Sequence, residues 1–129
     1  MRNLVILLAL TLPACGAESY IDSAFIPYLE DFPAEVTVSI QFVDKIDNGA
    51  TASCIHAEGA IVVSRLHWDH YSEVGKKALL WHELGHCVLD MRHTDDRESL
   101  MYFIVEYTSE DHLVSGSDEL TKLFLETTH

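Results

Sequence analysis

The chain has 129 residues, of which 8 are basic and 21 are acidic, so its formal charge at pH 7 is −13. This length fits one compact domain and leaves no room for two. The charge excludes nucleic acid as a main partner, because phosphate recognition needs clusters of Lys and Arg. For the same reason anionic lipid would repel the protein surface, whereas a basic substrate would be attracted to it.

The N-terminus has the pattern of a secretion signal. Met1-Arg2-Asn3 is a short positive start, and Leu4 to Leu12 is an almost unbroken apolar run. The run is too short to cross a bilayer as a helix, yet it has the length of a signal-peptide core. We therefore expect this segment to direct export.

Leu12-Pro13-Ala14-Cys15 resembles the lipobox of bacterial lipoproteins, in which the Cys becomes the lipidated first residue of the mature protein. The resemblance implies a signal peptide over residues 1–14, membrane attachment through a lipid on Cys15, and a location in the bacterial cell envelope. A single domain over 15–129 would follow, with 15–19 as a short tether. The alternative is an ordinary secretion signal in which Cys15 is incidental.

The first predicted elements are a helix and three strands. Apolar residues recur at helical spacing from about 22 to 31, and Ser19 or Asp22 can cap that helix. Segments rich in β-branched residues predict strands over 36–43, 52–56 and 61–64. The strands are separated by turn signals at Asp47-Asn48-Gly49 and Glu58-Gly59.

The second half is predicted to be mainly helical. Ser72 is a suitable N-cap for a long helix that extends to about Asp90 or Met91. An irregular polar segment over 93–99, an apolar turn or short strand over 100–107 and a last helix over 117–125 follow. This order predicts an α+β domain, in which a small mixed sheet packs on a central helix and further helices lie at the N- and C-terminal ends.

Cys54 and Cys87 remain once Cys15 is assigned to the lipid. In an oxidising compartment such a pair can form one disulfide, which would help to stabilise a small domain. Two buried free thiols are the alternative, because sequence alone does not give the distance between them.

His82-Glu83-Leu84-Gly85-His86 lies within the predicted long helix. Residues four apart share a helix face, so His82 and His86 can reach one metal ion. Zinc favours imidazole nitrogens, and a catalytic zinc site keeps one position open for water. Glu83 would stand beside that water as a general base. The motif therefore predicts one zinc ion per chain and hydrolytic chemistry.

The stretch from Leu80 to Tyr102 resembles the metzincin clan of zinc peptidases. The likeness is carried by the His-Glu-x-x-His motif, by His93 after the helix, and by Ser99-Leu100-Met101-Tyr102. The chain is also similar, more loosely, to small zinc-peptidase lipoproteins of bacteria. The clan membership so suggested implies a zincin-like fold, in which a sheet lies against the metal-binding helix.

The resemblance also assigns roles to individual residues. His82, His86 and His93 would be the zinc ligands, Glu83 the base, and Met101 the methionine of a turn beneath the metal. The clan places its third His six residues after the second, with a Gly between them. His93 comes seven residues after His86, and the interval contains no Gly.

Two other residues are alternatives for the third ligand, because carboxylate oxygen also binds zinc. Asp90 lies one turn beyond His86 on the same predicted face. Glu106 lies at a distance compatible with the zincin class that takes a Glu from a second helix.

The sequence thus predicts a zinc-dependent metallopeptidase that acts as a monomer on a peptide or protein. An extended substrate is expected to pair with an exposed strand edge, for which Ile61–Ser64 is the candidate. His67 and His70 are expected in an exposed loop. The alternative functions are a lipid-anchored zinc-binding module without catalysis, and a zinc hydrolase that acts on cell-wall amides.

Overall fold

The structure is a computed structural model that describes residues 19–95 and 99–101. The predicted signal segment, Cys15, Glu106 and the C-terminal helix predicted over 117–125 lie outside the described residues. Within the described residues, no helix is long and apolar enough to cross a membrane. The described part is a mixed α+β structure with a small three-stranded sheet.

Strands and helices follow one another in the order β1, β2, β3, α1, α2. Their bounds are Ser39–Val43 for β1, Ala52–Ile55 for β2, Ala60–Ser64 for β3, Arg65–Trp68 for α1 and Glu73–Cys87 for α2. Two 3-10 helices, Ser23–Tyr28 and His56–Glu58, precede β1 and β3. The long helix begins where predicted, because the Ser72 side chain accepts the Gly75 N–H at 3.1 Å.

The sheet has the strand order β1-β3-β2, with β1 parallel and β2 antiparallel to β3. The prediction that Ile61–Ser64 forms an exposed edge is therefore wrong, since β3 is the central strand. An almost wholly apolar strand is typical of a central position, because both of its faces are buried.

The two outer edges of the sheet differ. At β1, the Asp22 N–H donates to the Ile40 carbonyl at 2.9 Å and the Ile40 N–H donates to the Tyr20 carbonyl at 2.8 Å. Among residues 19–95 and 99–101, no strand pairs with the outer edge of β2. This edge of β2 is therefore the one that can receive a further strand.

The N-terminal helix is shorter than predicted and is a 3-10 helix. Asp22 caps it by accepting the Ala24 N–H at 3.0 Å. Pro27 lies inside it and has no N–H to donate, which disfavours a longer α-helix. Ile26 consequently lies 47% exposed rather than on a buried face. The first strand is also shorter, since its pairing with β3 starts at Ser39.

The core lies between the sheet and α2, which packs against β2 and β3. Fully buried side chains from both layers join in one apolar cluster that includes Ile40, Ile61, Leu80 and Leu84. Trp81 closes one end of this cluster, where its indole N–H donates to the Tyr28 carbonyl at 2.8 Å. The apolar cluster holds α2 against the sheet, and the Trp81 hydrogen bond ties the helix to the N-terminal 3-10 helix.

Candidate metal centre

Helix α2 brings His82, Glu83 and His86 to the floor of a cleft. His82 is 3% exposed and Glu83 is 8% exposed, whereas His86 is half-buried. Polar side chains at such depth need partners, because an unpaired buried polar group costs free energy. The hydrogen-bond partners of these three side chains determine which of their atoms remain free to bind a ligand.

Two backbone carbonyls fix the orientation of the helical histidines. The His82 Nδ1–H donates to the Leu100 carbonyl at 2.8 Å, and the His86 Nδ1–H donates to the Met91 carbonyl at 2.7 Å. A carbonyl oxygen can only accept, so the proton of each neutral ring is on Nδ1. Each Nε2 therefore presents a lone pair toward the cleft.

These lone pairs converge on one point. The Nε2 atom of His82 lies 3.2 Å from that of His86 and 3.2 Å from that of His93. His82 and His86 cannot hydrogen-bond each other through two lone pairs, and two such lone pairs can instead bind one cation. Zn–N bonds of about 2.0–2.1 Å at a tetrahedral angle separate two nitrogens by about 3.3 Å. The three histidines therefore lie close enough to hold a metal ion.

Burial keeps the helical histidines neutral. It lowers the pKa of His82 to about 4, although the hydrogen bond to Leu100 acts in the opposite direction. Burial lowers the pKa of His86 as well, and the nearby His93 and His56 add to this effect. Neutral imidazole is the form that binds a metal.

Glu83 is held in a different way from the histidines. Its Oε1 accepts the backbone N–H of Cys54 at 3.1 Å, while its Oε2 lies 4.0 Å from His82 Nε2. Since His82 is neutral, the second contact is not an ion pair. Burial raises the pKa of Glu83 to about 7, and the Cys54 N–H opposes this only in part. A carboxylate with this pKa can accept or release a proton near neutral pH.

The turn after α2 explains the longer interval before His93. The helix ends at Cys87, and Asp90 adopts the left-handed conformation with φ 54°. The Met91 N–H then donates back to the Gly85 carbonyl at 2.9 Å, which holds the turn against the end of the helix. Asp is among the few residues besides Gly that tolerate this conformation. Asp90 thus turns the chain and is not in the group of ligand atoms.

Met101 lies directly beneath the helix and is 1% exposed. A Cβ atom on Gly85 would lie 2.5 Å from its sulfur, so any larger residue there would force the Met101 side chain to move. The Ser99 hydroxyl accepts the Met101 N–H at 3.0 Å, and the Thr94 N–H donates to the Met101 carbonyl at 3.1 Å. These bonds hold the Leu100 carbonyl under His82.

The cleft above the histidines has a volume of about 560 Å³. One wall is the segment Asn48–Cys54, which includes the open edge of β2, and His56 and Tyr71 lie at its rim. A second cavity of about 460 Å³ adjoins it and is lined by His67 and His70. The sequence does not single out Tyr71 or the Cys54 N–H, because a rim position and a backbone donor leave no motif.

The structure joins Cys54 and Cys87 in a disulfide across 33 residues.

No family model, characterised protein or solved structure matches this chain. The case for a function therefore depends on the geometry of the site.

We expect His93→Ala to weaken zinc binding by more than about 100-fold, because loss of a ligand should exceed the 10–100-fold cost of losing an outer partner. Zinc titration of the purified variant measures this, with His70→Ala as the matched control for a loop histidine outside the cluster. Zinc bound at full strength by the His93 variant would transfer the third-ligand role to Glu106 or Asp90.

Replacing Asp90 tests the turn. Asp90→Val should lower the free energy of unfolding by about 1–2 kcal/mol, since a β-branched residue is strained at positive φ. It should also weaken zinc binding by displacing His93. Asp90→Gly, in contrast, should keep both the free energy of unfolding and the zinc affinity of wild type. Urea unfolding and zinc titration of the two variants give the comparison. Equal zinc affinity of the Val variant and wild type would show that the turn does not position His93.

Glu83→Gln should stabilise the metal-free protein at pH 8 by about 3 kcal/mol and have little effect at pH 4. The unfolded carboxyl ionises near 4.5, whereas burial keeps the pKa of folded Glu83 at about 7. Wild type therefore loses stability as the pH rises through this interval. Burial lowers the pKa of His82, so its contribution to the pH dependence of stability has the opposite sign. This contribution is the same in wild type and in the Glu83 variant, and it cancels when the two are compared.

Urea unfolding at the two pH values measures this difference, and Glu58→Gln serves as a control with an exposed carboxyl. An equal effect of the Glu83 change at both pH values would contradict the burial of an ionisable group.

Proposed function

We propose that this protein is a zinc-dependent metallopeptidase. The observation that carries the proposal is the convergence of three histidine Nε2 atoms beside a buried carboxylate that is not one of the ligand atoms. A structural zinc site fills all four positions with protein ligands. The described residues supply three, and the fourth direction faces the cleft.

His82, His86 and His93 would hold the ion. When bound, zinc would supply Lewis-acid polarisation of the scissile carbonyl and a lower pKa for water. Zinc is favoured over other divalent ions because the donor set consists of imidazole nitrogens at near-tetrahedral separations.

Glu83 acts as the general base in this proposal. It takes a proton from the attacking water and delivers it to the leaving amine nitrogen. The Cys54 N–H fixes Oε1, so Oε2 is the oxygen free to exchange the proton. A cation held by the neighbouring histidines would favour the ionised carboxylate and so prepare it to accept.

The substrate would pair with the outer edge of β2. The Ser64 N–H donates to the Thr51 carbonyl, so Thr51 faces β3. Antiparallel pairing alternates, and therefore Ala52 and Cys54 direct their N–H and carbonyl groups outward. The Cys54 N–H is taken by Glu83, which leaves Ala52 and the Cys54 carbonyl for an extended peptide. The scissile bond would then lie over the histidines.

Zincin-like packing is part of the same proposal. It is supported by the position of α2 beneath the open edge of β2 and of Met101 beneath α2. We further propose that the protein is a monomer attached to the cell envelope through a lipid on Cys15. The sequence alone supports this second part.

One observation favours a substrate bulkier than a simple peptide. The cleft wall from Gly49 to Ser53 carries no side chain larger than Thr. This width would admit a branched cell-wall peptide, and a zinc hydrolase of cell-wall amides is the second candidate. A zinc-binding module without catalysis is disfavoured, because such a site needs neither an open fourth position nor a carboxylate beside it.

We expect Glu83→Ala to keep its zinc and to lose hydrolysis by about 100-fold or more, the usual contribution of a general base. Zinc content and cleavage of a peptide library are measured together, beside a peptidoglycan digest that tests the second candidate. Glu58→Ala is the control, since Glu58 is exposed on the neighbouring 3-10 helix. Full activity of the Glu83 variant would exclude the proposed mechanism.

A further inference from the structure

Cys54 makes two contacts that meet at the metal centre. Its backbone N–H donates to Glu83 Oε1 at 3.1 Å, and its side chain forms the disulfide with Cys87. Cys87 directly follows His86 on α2. The disulfide is thus a covalent link between β2 and α2. One of its cysteines is next to His86 in the chain, and the other carries the N–H that donates to Glu83.

The disulfide is the covalent contact that holds strand β2 over α2, in addition to the pairing of β2 with β3 and its packing on the helix. On its inner side β2 pairs with β3, and on its outer side no strand of the described part of the chain supports it. The disulfide fixes the Cα atoms of Cys54 and Cys87 5.7 Å apart. It therefore limits how far the Cys54 N–H can move away from Glu83.

The histidines are held independently of β2. The carbonyls of Leu100 and Met91 orient His82 and His86, and His93 follows the turn at Asp90. None of these supports lies on β2. Loss of the disulfide should therefore release the carboxylate from its donor while the metal ligands keep their positions.

We propose that the Cys54–Cys87 disulfide is a positioning element for Glu83, so that its loss lowers turnover but leaves the metal bound. The proposal rests on the peptidase function for its kinetic consequence, although the contact itself can be observed without activity. It makes the protein sensitive to reduction. Both cysteines are half-buried, so a small reductant can reach the bond.

The chemistry of the reduction is simple. A phosphine attacks one sulfur and breaks the S–S bond, and water then transfers its oxygen to phosphorus. The two cysteines gain two electrons and two protons and become thiols, while the phosphine is oxidised to its oxide. A phosphine is preferred to a dithiol as the probe, because a dithiol would also bind zinc.

The kinetic test compares oxidised wild type, phosphine-reduced wild type and the Cys54→Ser/Cys87→Ser double variant. We expect kcat to fall by about 10- to 100-fold without the disulfide, the scale of a misplaced catalytic group. Zinc content should not change, and reoxidation of wild type should restore kcat. Glu58→Ala, on the exposed 3-10 helix that follows the strand, is the control and should retain kcat.

A mutant cycle distinguishes positioning from a general structural role. In the Glu83→Ala background, loss of the disulfide should cause no further fall in the residual rate, because the group it positions is absent. Unchanged kcat on reduction, or a fall that follows zinc loss, would overturn the proposal. So would an equal fall in the Glu83→Ala background.

A second measurement does not depend on activity. Hydrogen exchange of the Cys54 amide should accelerate more than about tenfold on reduction, since the N–H loses its acceptor. Unchanged exchange would overturn the proposal even if the enzyme lost activity. Accelerated exchange in a protein that hydrolyses nothing would instead support the positioning and reject the peptidase function.

Discussion

The hydrogen bonds from His82 and His86 to two backbone carbonyls are the contacts on which the site depends. They fix both protons on Nδ1 and so direct the Nε2 lone pairs toward one another at 3.2 Å. Such an arrangement leaves the nitrogens close enough to bind one metal ion together. Each carbonyl comes from the chain that follows α2, so the helix cannot orient its own histidines.

The need to place these two carbonyls accounts for the structure of the chain that follows α2. The turn at Asp90 places the Met91 carbonyl against His86 and carries the chain back toward His93. The following turn, with Met101 packed on Gly85, places the Leu100 carbonyl against His82. A helical glycine costs about 1 kcal/mol relative to alanine. At Gly85 the missing side chain lets the Met101 sulfur pack directly against the helix.

The sequence predicts those parts of the site that depend on local spacing. The four-residue step from His82 to His86 and the Ser72 cap follow from helix geometry alone. The α+β class is confirmed, as is the grouping of His93 with the other two histidines. The apolar sequence of β3 is the signal of a central strand, whereas the identity of its two neighbours could not be predicted, because it depends on pairings between distant residues. The Cys54 N–H is likewise invisible in a sequence, since every residue but proline has one.

The disulfide also has a consequence for the order in which the chain assembles. It closes a ring that contains the second half of β2 and all of β3, α1 and α2, including His82, His86 and Glu83. In the chain-entropy view, closing a loop of 33 residues removes about 4 kcal/mol of freedom from the unfolded chain. The contact between strand and helix becomes a short-range one, and short-range contacts form early. His93 lies outside the ring but only seven residues from His86 in the sequence, so in the oxidised chain both the base and the third ligand reach the site through short-range contacts.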